Sequence, residues 1–322
     1  MSTVTASDFK GRDIIDINDF SKEELLFILK TAKDFDPVFL KRSKRSNYTL
    51  AQGEIAAHLF FEPSTRTEQS FRSAAQKIGM GVIGFNDMAV TSMHKGESFK
   101  DTIKIMESYS NVLIIRHPEE GSAKKAADIA SIPVINGGDG TNQHPTQTLL
   151  DLYTIERHTG SFDGLTVAFV GDLKYGRTVH ALSIALSHFK VKQIFIAHPS
   201  LQMPEEFLEI LRKRNIEFKQ YETLLDHLEG VNFLYQTRVQ KERFSDLKEY
   251  EKVKNEYILD KTLIPYLDKG LHLMHPLPRI NEIDPILDDH PNAIYFTQAR
   301  NGMYVREALL GLVLGRIDGE NL

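Results

Sequence analysis

From about residue 54 onward the chain alternates between apolar runs of strand length and amphipathic stretches of helix length, and few folds satisfy that alternation. Strand patterns at 54–61, 82–85, 112–116 and 132–135 are separated by helical patterns from Ser64, at 98–109 and at 119–130. Strands interleaved with helices predict parallel sheets covered on both faces. Residues 137–140, Gly-Gly-Asp-Gly, interrupt the pattern, and a helix over 146–157 opens directly on His144-Pro145, which marks a domain boundary. The alternation then resumes with strands at 166–171 and 193–197, helices at 178–188 and 204–214, a short helix at 221–228, and strands at 231–236 and 271–274. An apolar stripe over 301–314 predicts a closing helix, while Ser21 and Glu24 form a capping box for a helix over 22–32. The fold class is α/β, with two domains, each a parallel sheet flanked by helices.

Composition agrees with two cores and narrows the chemistry. The chain has 322 residues, 41% of them hydrophobic, too many for one small core. A net charge of −5 argues against nucleic acid or an anionic membrane surface as the main partner, and the basic run 41–45 reads as a solvated loop. Without cysteine there are no disulfides, thiolate metal sites or cysteine nucleophiles. Residues 1–19 lack the apolar stretch of a signal peptide and no window has bilayer-spanning length, so the expected location is cytoplasmic.

Ligands of parallel sheets bind at the carboxyl ends of the strands, and polar residues unsuited to packing collect there. Glu62-Pro63-Ser64-Thr65-Arg66-Thr67 follows the first strand and opens a helix, where free N–H groups and the macrodipole attract phosphate or carboxylate. An ordinary Ser/Thr N-cap would account for the hydroxyls alone. Arg116-His117-Pro118 and residues 142–147, Asn-Gln-His-Pro-Thr-Gln, follow later strands. In the second half the same position holds Arg177-Thr178, Thr237-Arg238-Val239-Gln240 and His275-Pro276-Leu277-Pro278-Arg279. Arginine recognises carboxylate and phosphate through planar, bidentate bonds, so the substrates should be small and multiply anionic. Residues 171–178 lack both the P-loop and the dinucleotide fingerprint, and no metal-ligand spacing appears, so neither cofactor nor metal is expected.

Taken together, residues 60–67, 116–118, 143–151, 171–178, 237–243 and 275–279 resemble, in order and across nearly the whole chain, the catalytic chains of the aspartate transcarbamoylase (aspartate carbamoyltransferase) family. Ornithine-using relatives share the Ser-Thr-Arg-Thr and His-Pro-x-Gln motifs but place a Cys where this chain has Pro276, so aspartate is the implied acceptor. The resemblance implies a carbamoyl phosphate-binding domain over 1–145 plus 302–322, the C-terminal helix returning to it, and an aspartate-binding domain over 146–301. Ser64, Thr65, Arg66, Thr67, Ser92, Arg116, His144, Gln147, Pro276, Leu277 and Pro278 are implied for carbamoyl phosphate. Lys95, Arg177, Arg238 and Gln240 are implied for aspartate. Arg66, Thr67, Lys95, Arg116 and His144 are the implied catalytic set, with Glu62 pairing to Arg177 and Arg243 on domain closure. The resemblance further implies a cis Leu277–Pro278 bond and a homotrimer with shared sites, Ser92 and Lys95 reaching across from a neighbour; separate regulatory chains are possible partners. Two departures stand out: the loop at 91–97 is shorter than in some members, and the family's Arg…Glu pair is reversed as Glu68 and Arg72, with an expected loss of favourable polarity.

The implied reaction is carbamoyl transfer from carbamoyl phosphate to the α-amino nitrogen of L-aspartate, in pyrimidine biosynthesis. It needs no protein nucleophile, only orientation of two anions and stabilisation of an oxyanion. The leaving phosphate can take the amine proton, and His144 suits a donor to the oxyanion better than a base. The alternatives are another amino acid as acceptor, a non-catalytic anion-binding paralogue, or, on fold alone, a nicotinamide-dependent oxidoreductase, which the missing glycine fingerprint undercuts.

Overall fold

A computed structural model gives the fold and describes residues 3–39, 49–239, 250, 253 and 256–317. The chain divides into two compact units, one running to Tyr153 and taking in the chain from Arg300 onward, the other spanning Thr154–Ala299.

The first unit is built on four parallel strands in the order β2-β1-β3-β4: β1 Ile55–Phe60, β2 Gly81–Phe85, β3 Val112–His117 and β4 Val134–Asp139. Helices α2 Thr65–Lys77, α3 Phe99–Ser108 and α4 Ser122–Ile129 make the crossovers. From Ala56 to Phe60, β1 is buried on both faces, as expected of a central parallel strand. Ala57, Leu59, Leu113, Ile115 and Val134 pack with Ile103 and Ala126 in the core on one side. Helix α1, Lys22–Lys33, starts from Ser21 with both bonds of the capping box formed. Glycine is required in β2: at Gly84, with φ +130°, a Cβ would stand 2.0 Å from the His58 carbonyl oxygen.

The second unit holds five parallel strands in the order β7-β6-β5-β8-β9: β5 Thr166–Val170, β6 Lys192–Ile196, β7 Phe218–Tyr221, β8 Phe233–Gln236 and β9 His272–Met274. Helices α6 Arg177–Ser187, α7 Glu205–Lys213 and α8 Ile264–Asp268 accompany them. Two long helices cross the division between the units, α5 Pro145–Thr159 and α9 Tyr295–Val313. The part of α9 beyond Arg300 packs in the first unit, where Arg306 bonds Ser70 of α2 and Thr146 of α5.

Most predicted elements form within a residue or two of their expected ends, and four differ for physical reasons. Strand β4 runs on through residues 134–139, because Gly137 and Gly138 are taken up in a shift of register between the pairs Ile115–Asn136 and His117–Asp139, after which pairing with β3 resumes. Helix α4 starts at Ser122 rather than 119, since Gly121 turns left-handed at φ +74°. Where a helix was expected over 221–228 there is edge strand β7 ending at Tyr221, then a 3-10 turn at Leu225–His227. Helix α9 begins six residues early, at Tyr295. Among the described residues no helix is long and apolar enough to cross a membrane.

Candidate active site

The turn after β1 leaves donors exposed. Ser64 takes the N-cap position with φ −153° and ψ 89°, yet its hydroxyl makes no capping bond. The first bond of α2 runs from the Glu68 N–H to the Ser64 carbonyl at 3.0 Å, so the N–H groups of Thr65, Arg66 and Thr67 have no intrahelical acceptor. The ordinary N-cap is therefore not what this turn builds. Phe71, Ala74 and Ala75 are buried and anchor the helix, fixing where its positive end points. Arg72 Nε stands 3.0 Å from Glu68 Oε1. The expected polarity is corrected here: the acid lies N-terminal to the base, nearer the positive helix end, which is the favourable sense.

Arg116 arrives at the same end of the sheet because β3 pairs with β1 in a register that sets Arg116 beside Phe60. Its Nη2 contacts Glu62 Oε1 at 2.7 Å and its Nη1 donates to the Gly137 carbonyl at 3.2 Å. Glu62 thus holds Arg116 in place within the first unit; of its two partners expected on domain closure, Arg243 lies outside the described residues. Burial, reinforced by the charge of Arg116, pushes the Arg66 pKa down. Two like charges at one helix N-terminus form a site of positive potential suited to an anion.

His144, 8% exposed, lies at the start of α5, with Nε2 3.4 Å from Thr67 Oγ1 and Nδ1 3.5 Å from Thr146 Oγ1. Gly138, φ +117°, lies close to Arg116: a Cβ there would stand 2.9 Å from Arg116 Nη1 and in ordinary contact, 3.5 Å, with His144 Cδ2. A buried network locks the loop from β4 to α5. Asn136 accepts from the Gly138 N–H at 2.8 Å and donates to Asp139 at 2.9 Å; Asp139 accepts from the N–H groups of Gly121 at 2.8 Å and Gln143 at 3.1 Å. Asn136, Gly138 and Asp139 were missed as site residues, although the glycine-rich stretch singled out as a boundary was their signal. Gln147 Nε2 donates to Asp151 at 3.0 Å, which leaves the amide oxygen as the group offered to a ligand's amino hydrogen. Ser92 and Lys95 are exposed on a 3-10 turn at Ser92–Lys95.

The second unit has its own polar strand ends. Arg177 is the first residue of α6, launched from a loop fixed by Asp172, which accepts from the Tyr175 N–H at 2.9 Å. Thr237 Oγ1 accepts from the Asp172 N–H at 3.0 Å and donates to the Val170 carbonyl at 3.1 Å, tying the end of β8, and with it Arg238, to the end of β5. After β9, buried His275 accepts from the Leu277 N–H on Nδ1 at 2.8 Å and binds Glu282 through Nε2 at 2.8 Å. These bonds hold the segment carrying the Pro276 and Leu277 carbonyls. The Leu277–Pro278 peptide is cis and Leu277 has φ +54°, in line with the expected cis bond. Gln240 lies outside the described residues. Among the described residues, no group of three or more His, Asp or Glu side chains is placed to hold a metal ion.

Two parallel α/β units, the first with a cationic, hydroxyl-lined helix N-terminus and the second with arginines at its strand ends, define a class of transferase acting on anionic substrates. Residues 12–157 match the family model described as aspartate/ornithine carbamoyltransferase, carbamoyl-P binding domain, and residues 163–313 match the Asp/Orn binding domain of the same family. The chain belongs to the aspartate/ornithine carbamoyltransferase family. It is 49% identical over 312 residues to the aspartate carbamoyltransferase catalytic subunit of Thermococcus onnurineus, covering 97% of this chain and 100% of that one. The catalytic subunit of Methanosarcina barkeri is 47% identical, with 96% and 99% covered. The catalytic subunit of M. jannaschii aspartate transcarbamoylase superposes with a TM-score of 0.86 at 44% identity, over 94% of this chain and 98% of that one. Aspartate transcarbamoylase from Trypanosoma cruzi in complex with carbamoyl phosphate and aspartate gives 0.86 at 35% identity, with 97% and 100% covered.

Proposed function

We propose that this chain transfers the carbamoyl group of carbamoyl phosphate to the α-amino group of L-aspartate, releasing N-carbamoyl-L-aspartate and phosphate. The observation that carries this reading is the α2 N-terminus, where three N–H groups without intrahelical acceptors meet the uncommitted Ser64 hydroxyl and the guanidiniums of Arg66 and Arg116. That donor set fits a phosphate dianion. The phosphate takes the N–H groups of residues 65–67 with Ser64, Thr65 and Arg66, while Arg116, Thr67 and His144 address the carbonyl oxygen. Gln147 and the carbonyls of Pro276 and Leu277, the last preceding Pro278, accept from the carbamoyl amino group. Arg177, Arg238 and Gln240 take the aspartate carboxylates.

Chemistry follows from orientation and electrostatics. The amine attacks the carbamoyl carbon, the carbonyl oxygen gains negative charge against Arg116, Thr67 and His144, and the carbon–oxygen bond to phosphate breaks as phosphate leaves with the amine proton. Trimeric assembly, with Ser92 and Lys95 serving a neighbouring chain's site, and a cytoplasmic setting for pyrimidine synthesis complete the proposal. Support for assembly comes from exposed Val38, Phe39, Met88, Ile105 and Tyr109 on the first unit, Ile105 in the last turn of α3 and Tyr109 at its C-cap. The reading is tested by phosphate release from carbamoyl phosphate with aspartate or ornithine as acceptor. Release with aspartate alone is expected; turnover with ornithine, or with neither, overturns it.

A further inference from the structure

Arg306, on α9, was singled out by no motif, and it is the least ordinary charge in the first unit. It is 3% exposed. Its Nη1 donates to Ser70 Oγ of α2 at 2.9 Å, its Nη2 donates to Thr146 Oγ1 of α5 at 3.1 Å, and its guanidinium lies over the Phe71 ring, 4.9 Å from the centroid. Gly302, one turn earlier, makes room for it, since a Cβ there would stand 2.4 Å from Nη1. Burial lowers the Arg306 pKa to about 10, against the opposing pull of Asp151, so the group is a cation at neutral pH. Burying a guanidinium this fully is costly unless its partners compensate. Its partners show what the charge achieves.

A guanidinium only donates, so the Thr146 hydroxyl must accept from it. Thr146 is fully buried, and His144 Nδ1 lies 3.5 Å away on its other side; with Arg306 taking a lone pair, the hydroxyl's hydrogen is left to turn toward that nitrogen. An imidazole that accepts on Nδ1 carries its hydrogen on Nε2, and His144 Nε2 faces Thr67 Oγ1 at the head of α2. We propose that Arg306 is a positioning residue for the transfer reaction: through Thr146 Oγ1 it holds His144 in the Nε2–H tautomer, with that hydrogen aimed at the carbonyl oxygen of the bound carbamoyl group. The proposal rests on the reading of His144 as a donor to that oxygen. The other tautomer would turn a lone pair toward the developing oxyanion and oppose the reaction.

The test reads the tautomer directly. Protein labelled with ¹⁵N-histidine is examined by long-range ¹H–¹⁵N correlation without substrate, the His144 signals being assigned with His144→Ala. The native protein is expected to show a bare Nδ1 and a protonated Nε2. Thr146→Val and Arg306→Met are expected to populate both tautomers and to lower kcat about tenfold, with KM for either substrate changed less than about twofold. Thr146→Ser should restore the native tautomer and rate. A native His144 protonated on Nδ1, or variants that keep both tautomer and kcat while losing only melting temperature, would overturn the proposal. If Arg306→Met does not fold, Thr146→Val carries the test, because it removes only the linking hydroxyl. Unimpaired turnover by His144→Ala would remove the donor reading itself, an outcome separate from the tautomer measurement.

Discussion

Two buried titratable side chains in the first unit face opposite limits of pH. His58, in β1, is fully buried, neither ring nitrogen has a partner among the described residues, and burial together with the charge of Arg72 pushes its pKa down to about 3. The unfolded chain therefore binds the extra proton between about pH 6.5 and 3, and stability falls through that window by about 1.4 kcal/mol per unit. Glu307, 4% exposed on α9, moves the other way: burial raises its pKa to about 8, partly countered by Lys77. Between pH 4.5 and 8 the folded state holds the proton that the unfolded state has lost, so stability declines as pH rises, with a similar slope. Melting temperatures across pH check both. Glu307→Gln should gain on the native protein progressively from pH 5 to 8, and His58→Leu should flatten the acid limb; parallel curves would show that neither group titrates as described. At the substrate anchors, Arg66→Ala should lower kcat/KM for carbamoyl phosphate by about a hundredfold or more, whereas Arg238→Ala should chiefly raise the KM for aspartate. Equal loss of response to both substrates in both variants would count against the assigned roles.

At the scale of elements, the site depends on how β4 enters α5. Residues 137–140 read as a break because glycine ordinarily weakens a strand, but at Gly138 the backbone passes so close to Arg116 that a Cβ would stand 2.9 Å from its Nη1. Gly138→Ala should therefore impair turnover by displacing the Arg116 guanidinium, in addition to straining a backbone at φ +117°. Steady-state kinetics beside circular dichroism would decide this: a folded variant with native kcat would show that the close approach is unimportant. Strand β7 went unread for a different reason. Its four residues, Phe-Lys-Gln-Tyr, sit at a sheet edge, and pairing with β6 rather than local preference makes them a strand. Helices α1 and α3 begin where local capping sets their start, at Ser21 and Ser98, whose hydroxyls accept from the N–H groups of Glu24 and Asp101.

For the whole molecule, the shared-site proposal makes a prediction that no single chain can satisfy. Arg66→Ala and Lys95→Ala chains, each nearly inactive alone, should regain part of the native activity when unfolded and refolded together. A mixed trimer can place both lesions in one site and leave another intact. Mixed trimers shown by chromatography to have formed, yet inactive, would mean that Lys95 serves its own chain or no site.

The sequence by itself determined the strand and helix alternation, the absence of thiol chemistry, and the polar residues at strand ends, because periodicity, composition and turn chemistry are local properties written along the chain. It determined the motifs of Ser64–Thr67, Arg116, His144, Arg177 and Arg238 for the same reason. Only the tertiary structure decided that Glu62 braces Arg116, that Asn136 and Asp139 lock the loop before His144, and that Arg306 reaches Thr146 across 160 positions of sequence. Those are pairings between residues that are individually unremarkable. Their energies arise from burial and hydrogen-bond geometry, which come into being only when the elements pack.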